Sequence, residues 1–176
     1  RTVQGNSDIW LLDGTRTSRF TFDAAVDRFP IWSSDGSQIV FDSARKGAVR
    51  NLYIGSASSP GSETLLLESP QDKSAQHWSA DGHFLMFQVP DPQTDWDIWM
   101  LPLDGERRPG KPWLFLKTSF AERQPQFSPD GRWVAYQSNQ SGHYEIYVRP
   151  FVPPDGSTTP GASGPAPANG AGTQWQ

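Results

Sequence analysis

The 176 residues suit one ordinary domain with a real core, and 12% aromatic residues beside 16 Gly and 16 Pro point to many short strands joined by tight turns, not to long helices. A formal charge of −4, with no basic run and no acidic tail, argues against nucleic acid and against an anionic membrane surface as partner. With no cysteine, disulfides, thiolate nucleophiles and cysteine-rich zinc sites are excluded.

Residues 1–10 (RTVQGNSDIW) lack a basic leader followed by an apolar core, and no apolar stretch approaches the length of a spanning helix. Neither a signal peptide nor a membrane span is therefore expected within these residues. The first strand signals are Asp8-Ile9-Trp10 and Ser18–Phe22. Then comes the first of three copies of one pattern: Phe29-Pro30-Ile31-Trp32-Ser33-Ser34-Asp35-Gly36, followed by the apolar triplet Ile39-Val40-Phe41 and by Asn51-Leu52-Tyr53. The second copy is Ala75-Gln76-His77-Trp78-Ser79-Ala80-Asp81-Gly82 with Leu85-Met86-Phe87 and Asp97-Ile98-Trp99. The third is Gln124-Pro125-Gln126-Phe127-Ser128-Pro129-Asp130-Gly131 with Val134-Ala135-Tyr136 and Glu145-Ile146-Tyr147. The Asp-Gly pairs recur 46 and 49 residues apart, so the chain is a repeat array.

One unit can be read physically. An Asp-Gly pair between apolar runs signals a hairpin, because Gly reaches φ > 0 without steric cost and the Asp side chain bonds nearby backbone N–H groups. The triplets are apolar at consecutive positions, which an antiparallel strand tolerates when both of its faces are buried. Ile39, Phe41, Leu85, Phe87, Val134 and Tyr136 are thus expected in a core between stacked sheets. A third strand follows at each Leu/Ile-aromatic pair, and a fourth at Ser18–Phe22, Glu63–Leu67 and Trp113–Leu116, giving at least 13 strands. Four strands per period of this length predict an all-β fold of propeller blades, centred on residues 29–54, 75–101 and 124–148, with N-terminal strands at 8–22.

The P-x-W-S-x-D-G pattern with its triplet and I/L-aromatic pair resembles the PD40 repeat of the TolB-like, WD40-like propeller family, over roughly residues 8–150. The segment RFTFDAAVDRFPIWSSDGSQIVFDSARKG also resembles propellers attached to bacterial Ser/Thr kinases. The resemblance implies a six-bladed ring and a periplasmic or extracytoplasmic setting. Three blades are half of such a ring, so a homodimer is expected, with the N-terminal strands of one chain completing the last blade of the other. From Pro153 the sequence is dominated by Gly, Pro, Ala, Ser and Thr, a composition expected to form a flexible tail over 153–176.

The loops leading into each hairpin carry an acidic-basic pair: Asp27-Arg28, Asp72-Lys73 and Glu122-Arg123. By the resemblance these gather near the mouth of a central channel, where they either bind a polar ligand or peptide end or tie adjacent blades by salt bridges. The three histidines are the only obvious general bases. His83 follows a turn, His77 sits on an inner strand and His143 precedes a third strand. Neither G-x-S-x-G nor H-E-x-x-H occurs, and no cofactor or catalytic residue is expected. Asp91-Pro92-Gln93-Thr94-Asp95-Trp96-Asp97 lacks calcium-loop spacing and reads as a hairpin tip with Asx turns, so no metal is expected. Trp10, Trp32, Trp78, Trp99 and Trp133 occupy strand positions and are expected in the core, with Trp96 and Trp113 the candidates for exposed contacts.

Two functional readings remain open: a non-catalytic module that binds a protein or small polar ligand, as sensor or docking domain, and a hydrolase of esterase or lactonase type or the gating propeller of a larger peptidase.

Overall fold

The computed structural model describes residues 2–3 and 6–154, and every regular element among them is a β-strand. A short hairpin, β1 (Thr2–Val3) with β2 (Asn6–Ser7), precedes a two-stranded half-blade of β3 (Trp10–Asp13) and β4 (Arg16–Arg19). The first full blade is β5 (Asp27–Trp32), β6 (Gln38–Ser43), β7 (Asn51–Ser56) and β8 (Thr64–Leu67), in that spatial order. The second is β9 (Ser74–Trp78), β10 (Phe84–Asp91), β11 (Asp95–Pro102) and β12 (Trp113–Leu116). The third has only β13 (Glu122–Phe127), β14 (Trp133–Ser138) and β15 (Glu145–Pro150). The strand expected at Ser18–Phe22 lies earlier, at Arg16–Arg19, because Phe20 turns into the core and its carbonyl accepts from Gly61 N. The flexible tail expected over 153–176 falls almost wholly outside the described residues.

Each W/F-S-x-D-G motif builds the same five-residue loop. Gly36 N donates to Ser33 O across a turn, and Gly36 sits at φ 69°, where a Cβ would be strained. The serine explains the rest of the motif. Ser33 Oγ donates to Asp35 Oδ1 (2.7 Å) while accepting from Gln38 N (2.9 Å), and Asp35 Oδ1 also takes Ser37 N (3.0 Å). The same three bonds recur around Ser79-Asp81 and Ser128-Asp130.

The triplets alternate between two cores. Ile39 and Phe41 face the half-blade, joining Ile9, Phe20 and Tyr53, while Val40 faces the second blade. Leu85 and Phe87 pack back on the first blade, and Met86 packs forward on the third. The register pairs Phe41↔Tyr53, Phe87↔Trp99 and Tyr136↔Tyr147 place one aromatic couple per blade on the preceding-blade side, with ring centroids 5.9–6.3 Å apart. Five of the six expected core residues are buried; Tyr136 is half-buried. Phe151 closes the joint between the second and third blades, edge-on to Phe84 and Phe127.

Two expectations for tryptophan are corrected. Trp32 is 53% and Trp133 39% exposed, whereas Trp78, at the position of Trp32, is buried. Trp133 faces the side on which no further blade follows among the described residues, and Trp32, opposite Ile39, faces the half-blade, whose two strands leave it open. Of the two expected exposed aromatics, Trp96 is half-buried and Trp113 packs edge-on against Phe84.

Candidate interaction site at the channel mouth

β5, β9 and β13 are the first strands of their blades and pack beside one another along the inner edge of the arc. Their N-terminal ends, with the β6–β7, β10–β11 and β14–β15 loops, form an upper face. The Asp-Gly turns and the β7–β8 and β11–β12 loops form a lower face. All three inner strands are bulged: pairing skips from Arg28 to Ile31 in β5, from Ala75 to His77 in β9 and from Arg123 to Gln126 in β13. Phe29 and Gln124 occupy the bulges at φ 49° and 50°, each followed by a proline that has no N–H to lose. In β9 the proline is replaced by Gln76, and no residue there takes positive φ.

The bulge register shows which charged residues are equivalent. Counting back from Trp32, Trp78 and Phe127, Asp27, Lys73 and Glu122 share one position and Arg28, Ser74 and Arg123 the next. The sequence pairing of Asp72-Lys73 with the other two couples is therefore shifted by one residue. The first position is buried in all three blades, and its charges are used internally. Asp27 takes Arg45 Nη2 at 3.1 Å, and the same guanidinium reaches Glu63 at 3.2 Å. Arg45 also lies over the rings of Phe41 and Tyr53. Lys73 Nζ donates to Asn51 Oδ1, Gln71 O and Ser69 O, and burial lowers its pKa to about 8. Glu122 accepts from the Thr118 hydroxyl and from Thr118 N, and burial raises its pKa against those bonds.

The other members face solvent to different degrees. Asp72 accepts from Arg50 N and Nη2 at 2.8 and 2.9 Å, tying the start of β7 to the approach to β9. Arg123 pairs with Asp95 of the second blade and stacks over Tyr144. Arg28 is exposed and has no hydrogen-bond or ion-pair partner among the described residues. Beside it Phe29 is 58% exposed. The structure thus separates the six: three are internal anchors, Asp72 and Arg123 are bridges between neighbouring units, and Arg28 is uncommitted.

Below Arg28, Asp42 on β6 is fully buried, and neither of its carboxylate oxygens has a hydrogen-bond partner among the described residues. Arg50 Nε stands 3.7 Å away. Burial pushes the Asp42 pKa up to about 7 against the pull of Arg50 and Arg28. In the second blade the same position holds Gln88, whose Nε2 donates to Glu122 O at 2.8 Å and whose Oε1 accepts from Gln124 N at 3.4 Å, clamping the third blade. Asp42, shorter by one methylene, makes no such clamp.

The histidines take no part in this group. His77 Nδ1 accepts from Phe127 N at 3.2 Å between inner strands, and burial lowers its pKa, so it serves as a neutral structural acceptor. His83 and His143 are exposed at loops. At the tip of β10–β11, Asp91 forms the expected Asx turn through Gln93 N and Thr94 N, and Lys117 bridges Asp91 and Asp97 at 2.5 and 2.9 Å. No cluster of three metal-ligating side chains occurs among the described residues.

On the lower face an open cleft of about 280 Å³ is lined by Ser37, Gln38, Ser56, Gly105, Glu106 and Arg107. Arg107 crosses from the second blade to Asp35 (2.5 Å) and Gln38 (2.8 Å) of the first and lies over Trp78. Sequence reading did not find this bridge. Its donor and acceptors stand about 70 residues apart, and no spacing rule links them.

Comparison with known proteins fits this architecture. Over 54 residues, 31% of this chain and 5% of its relative, the sequence is 37% identical to tricorn protease homolog 1 of Streptomyces coelicolor. The structure superposes on a putative TolB from Agrobacterium tumefaciens with a TM-score of 0.66 at 21% identity, covering 81% of this chain and 48% of the other. A puromycin hydrolase superposes at 0.62 with 14% identity, over 82% of this chain and 24% of that one. The chain therefore spans about half the length of the first structure and far less of the two hydrolytic proteins. The family described as the TolB beta propeller domain matches residues 1–158, nearly all of the patterned sequence, and the chain belongs to that family.

Proposed function

We propose that this chain is a non-catalytic interaction segment of a TolB-like propeller whose upper face takes a protein or small polar ligand bearing a carboxylate. One observation carries the reading. Arg28 and Arg123 occupy the same place at the head of the inner strand in two blades, and Arg28, exposed beside Phe29, makes no hydrogen bond or salt bridge among the described residues. A guanidinium engaged in no hydrogen bond or salt bridge among the described residues, next to an open aromatic face, suits a peptide C-terminus or an acidic side chain, by bidentate hydrogen bonding with apolar contact alongside. Asp72 borders the same face and would repel a second anion, favouring ligands with one carboxylate. In a longer parent this is the work of a sensor or docking domain.

Fluorescence anisotropy with peptides ending in a free carboxylate, against the same peptides amidated, tests the reading. Binding is expected for the free acids only, to weaken about tenfold or more in Arg28→Ala, and to fall with added salt. Equal binding of amidated peptides, or an unaffected Arg28→Ala, overturns it. The gating propeller of a larger peptidase is a second reading, favoured by the stretch shared with the tricorn homologue. The two agree that the segment binds without performing chemistry. Hydrolysis of ester or peptide substrates by the purified chain, abolished by no general protease inhibitor but lost on unfolding, would contradict both.

A further inference from the structure

The residue that faces the head of the inner strand across the first hairpin differs among the blades. Arg28 pairs with Asp42, Ser74 with Gln88 and Arg123 with Gln137. Gln88 commits both ends of its amide to the third blade, and Gln137 Nε2 donates to Gln124 Oε1 at 2.8 Å. Only the first blade sets a carboxylate here, opposite an arginine that makes no hydrogen bond or salt bridge among the described residues. Directly opposite residues of an antiparallel pair leave the same sheet face with Cβ atoms about 4.5–5.5 Å apart, so the Arg28 and Asp42 side chains start side by side.

Both oxygens of Asp42 are buried without a hydrogen bond among the described residues. Four charged groups act on it: Arg50 and Arg28 favour the carboxylate, Asp72 and Asp27 oppose it, and burial outweighs them. Arg50 Nε stands 3.7 Å away, but its Nη2 is held by Asp72 at 2.9 Å, and Asp27 is held by Arg45. From the second blade, Lys73 turns its Nζ to Asn51 and two carbonyls, and His77 turns to Phe127 N. Arg28 is thus the neighbouring cation whose place no such bond fixes. An ionised Asp42 lacks the hydrogen bonds that offset the loss of water, and a guanidinium that moves in supplies them.

We propose, resting on the reading of the upper face as a carboxylate site, that Asp42 competes from below for Arg28: ionised, it draws the guanidinium down onto its oxygens, and protonated, it leaves Arg28 extended for the ligand. The ligand carboxylate and the Asp42 carboxylate then exclude one another, and a bound ligand raises the Asp42 pKa in return. Asp42 titrates at about 7, above its ordinary 3.8, so affinity is full on the acidic side of that value and falls as pH rises through it.

The test is anisotropy with an N-acetylated, histidine-free peptide ending in a free carboxylate, whose charge stays constant from about pH 5.5 to about pH 8. Affinity for the full 176-residue chain should fall about tenfold across this window. Asp42→Gln, which carries the amide of the other two blades, should keep the higher affinity throughout. Any slope it retains belongs to Lys73 or His77, and the difference between the two chains is the part due to Asp42. Asp42→Asn repeats the comparison, so that a misfolded Gln variant does not decide it. A readout without ligand accompanies these: the Arg28 Nε–H resonance, identified by its loss in Arg28→Lys, should shift with a midpoint at about 7 and stay in place in the Asp42 variants. Parallel slopes for wild type and variants, or an Arg28 resonance indifferent to pH, overturn the competition. Absence of peptide binding at every pH overturns the carboxylate reading instead, and the resonance alone then decides whether Asp42 captures Arg28.

Discussion

The second and third blades carry the same motif, the same Ser-Asp-Gly loop and the same cross-strand aromatic couple, yet they differ in what covers them. Met86 and Met100 of the second blade are wholly buried against the third, while Trp133, Ile146 and Val148 of the third, aimed in the same direction, face solvent. One repeat therefore encodes a blade with two sticky faces, and burial is a property of the neighbour. A side chain contributes its transfer free energy, about 1.5–3 kcal/mol for a large apolar residue, only where a second sheet removes it from water.

The sharpest way to break this comparison is to shorten equivalent side chains in both blades. Met86→Ala or Leu85→Ala should cost about 2–5 kcal/mol in urea unfolding, while Ile146→Ala should stay below about 1 kcal/mol. Similar losses at the two places would mean that the face of the third blade is covered in solution.

Next in size is a pH effect specific to the joint between the first and second blades. The folded pKa of Asp42, about 7, lies above its ordinary value of 3.8, so between those values the native state holds a proton that the unfolded chain has released. Stability from this group is full below the lower value and falls as pH rises through the window, by about 2–4 kcal/mol. Asp42→Asn should remove the fall, and Asp42→Gln could restore the clamp that Gln88 makes. Asp91 and Asp130, held near 2 by their hydrogen bonds, act in a separate window, losing their contribution as pH drops from 3.8 toward 2. Unfolding midpoints at about pH 4.5 and about pH 7.5 isolate the Asp42 term; an unchanged slope in Asp42→Asn refutes it.

A smaller effect separates the shared loop from ordinary surface glycine. Gly36 at φ 69° has open space around it, so Gly36→Val should cost about 1–3 kcal/mol through backbone strain alone. Gly105, equally open but outside the left-handed region, should accept valine with little loss. Equal melting midpoints for the two variants would show that the loop has another conformation in solution.

The smallest expected change is at the lower face, where Arg107→Ala should cost about 1 kcal/mol, because the side chain joins an exposed carboxylate and a ring face to no deeply buried charge. Its diagnostic value lies in a double-mutant cycle with Asp35→Ala. Coupling between the two confirms that the first and second blades are bridged there, and additivity removes the bridge.

Much of this was legible because repetition aligns chemistry. The Asp-Gly pairs, the triplets and the Leu/Ile-aromatic pairs were readable as strands and turns, since each rests on local rules: φ > 0 at glycine, alternation of faces, and an Asx-type bond within two residues. The serine of the motif and the polar residue before the Leu/Ile-aromatic pair in the first two blades had roles that only the tertiary structure revealed. Asn51 receives Lys73 and Asp97 receives Lys117, across 22 and 20 residues.

The candidate site divides along the same line. Sequence alone determined that acidic and basic residues recur before each hairpin; that they gather near a channel mouth was an expectation of the family resemblance. Which of them stay available was decided by the β-bulges in all three inner strands, which set the register so that Asp27, Lys73 and Glu122 turn inward and Arg28 turns out. A bulge shifts every following side chain by one face, and its position depends on pairing with a strand whose contacts no local spacing encodes. For the same reason Trp32 and Trp78 share a motif position yet differ in burial: the chain fixes the side of the sheet on which an aromatic stands, and the next sheet in space fixes whether water reaches it.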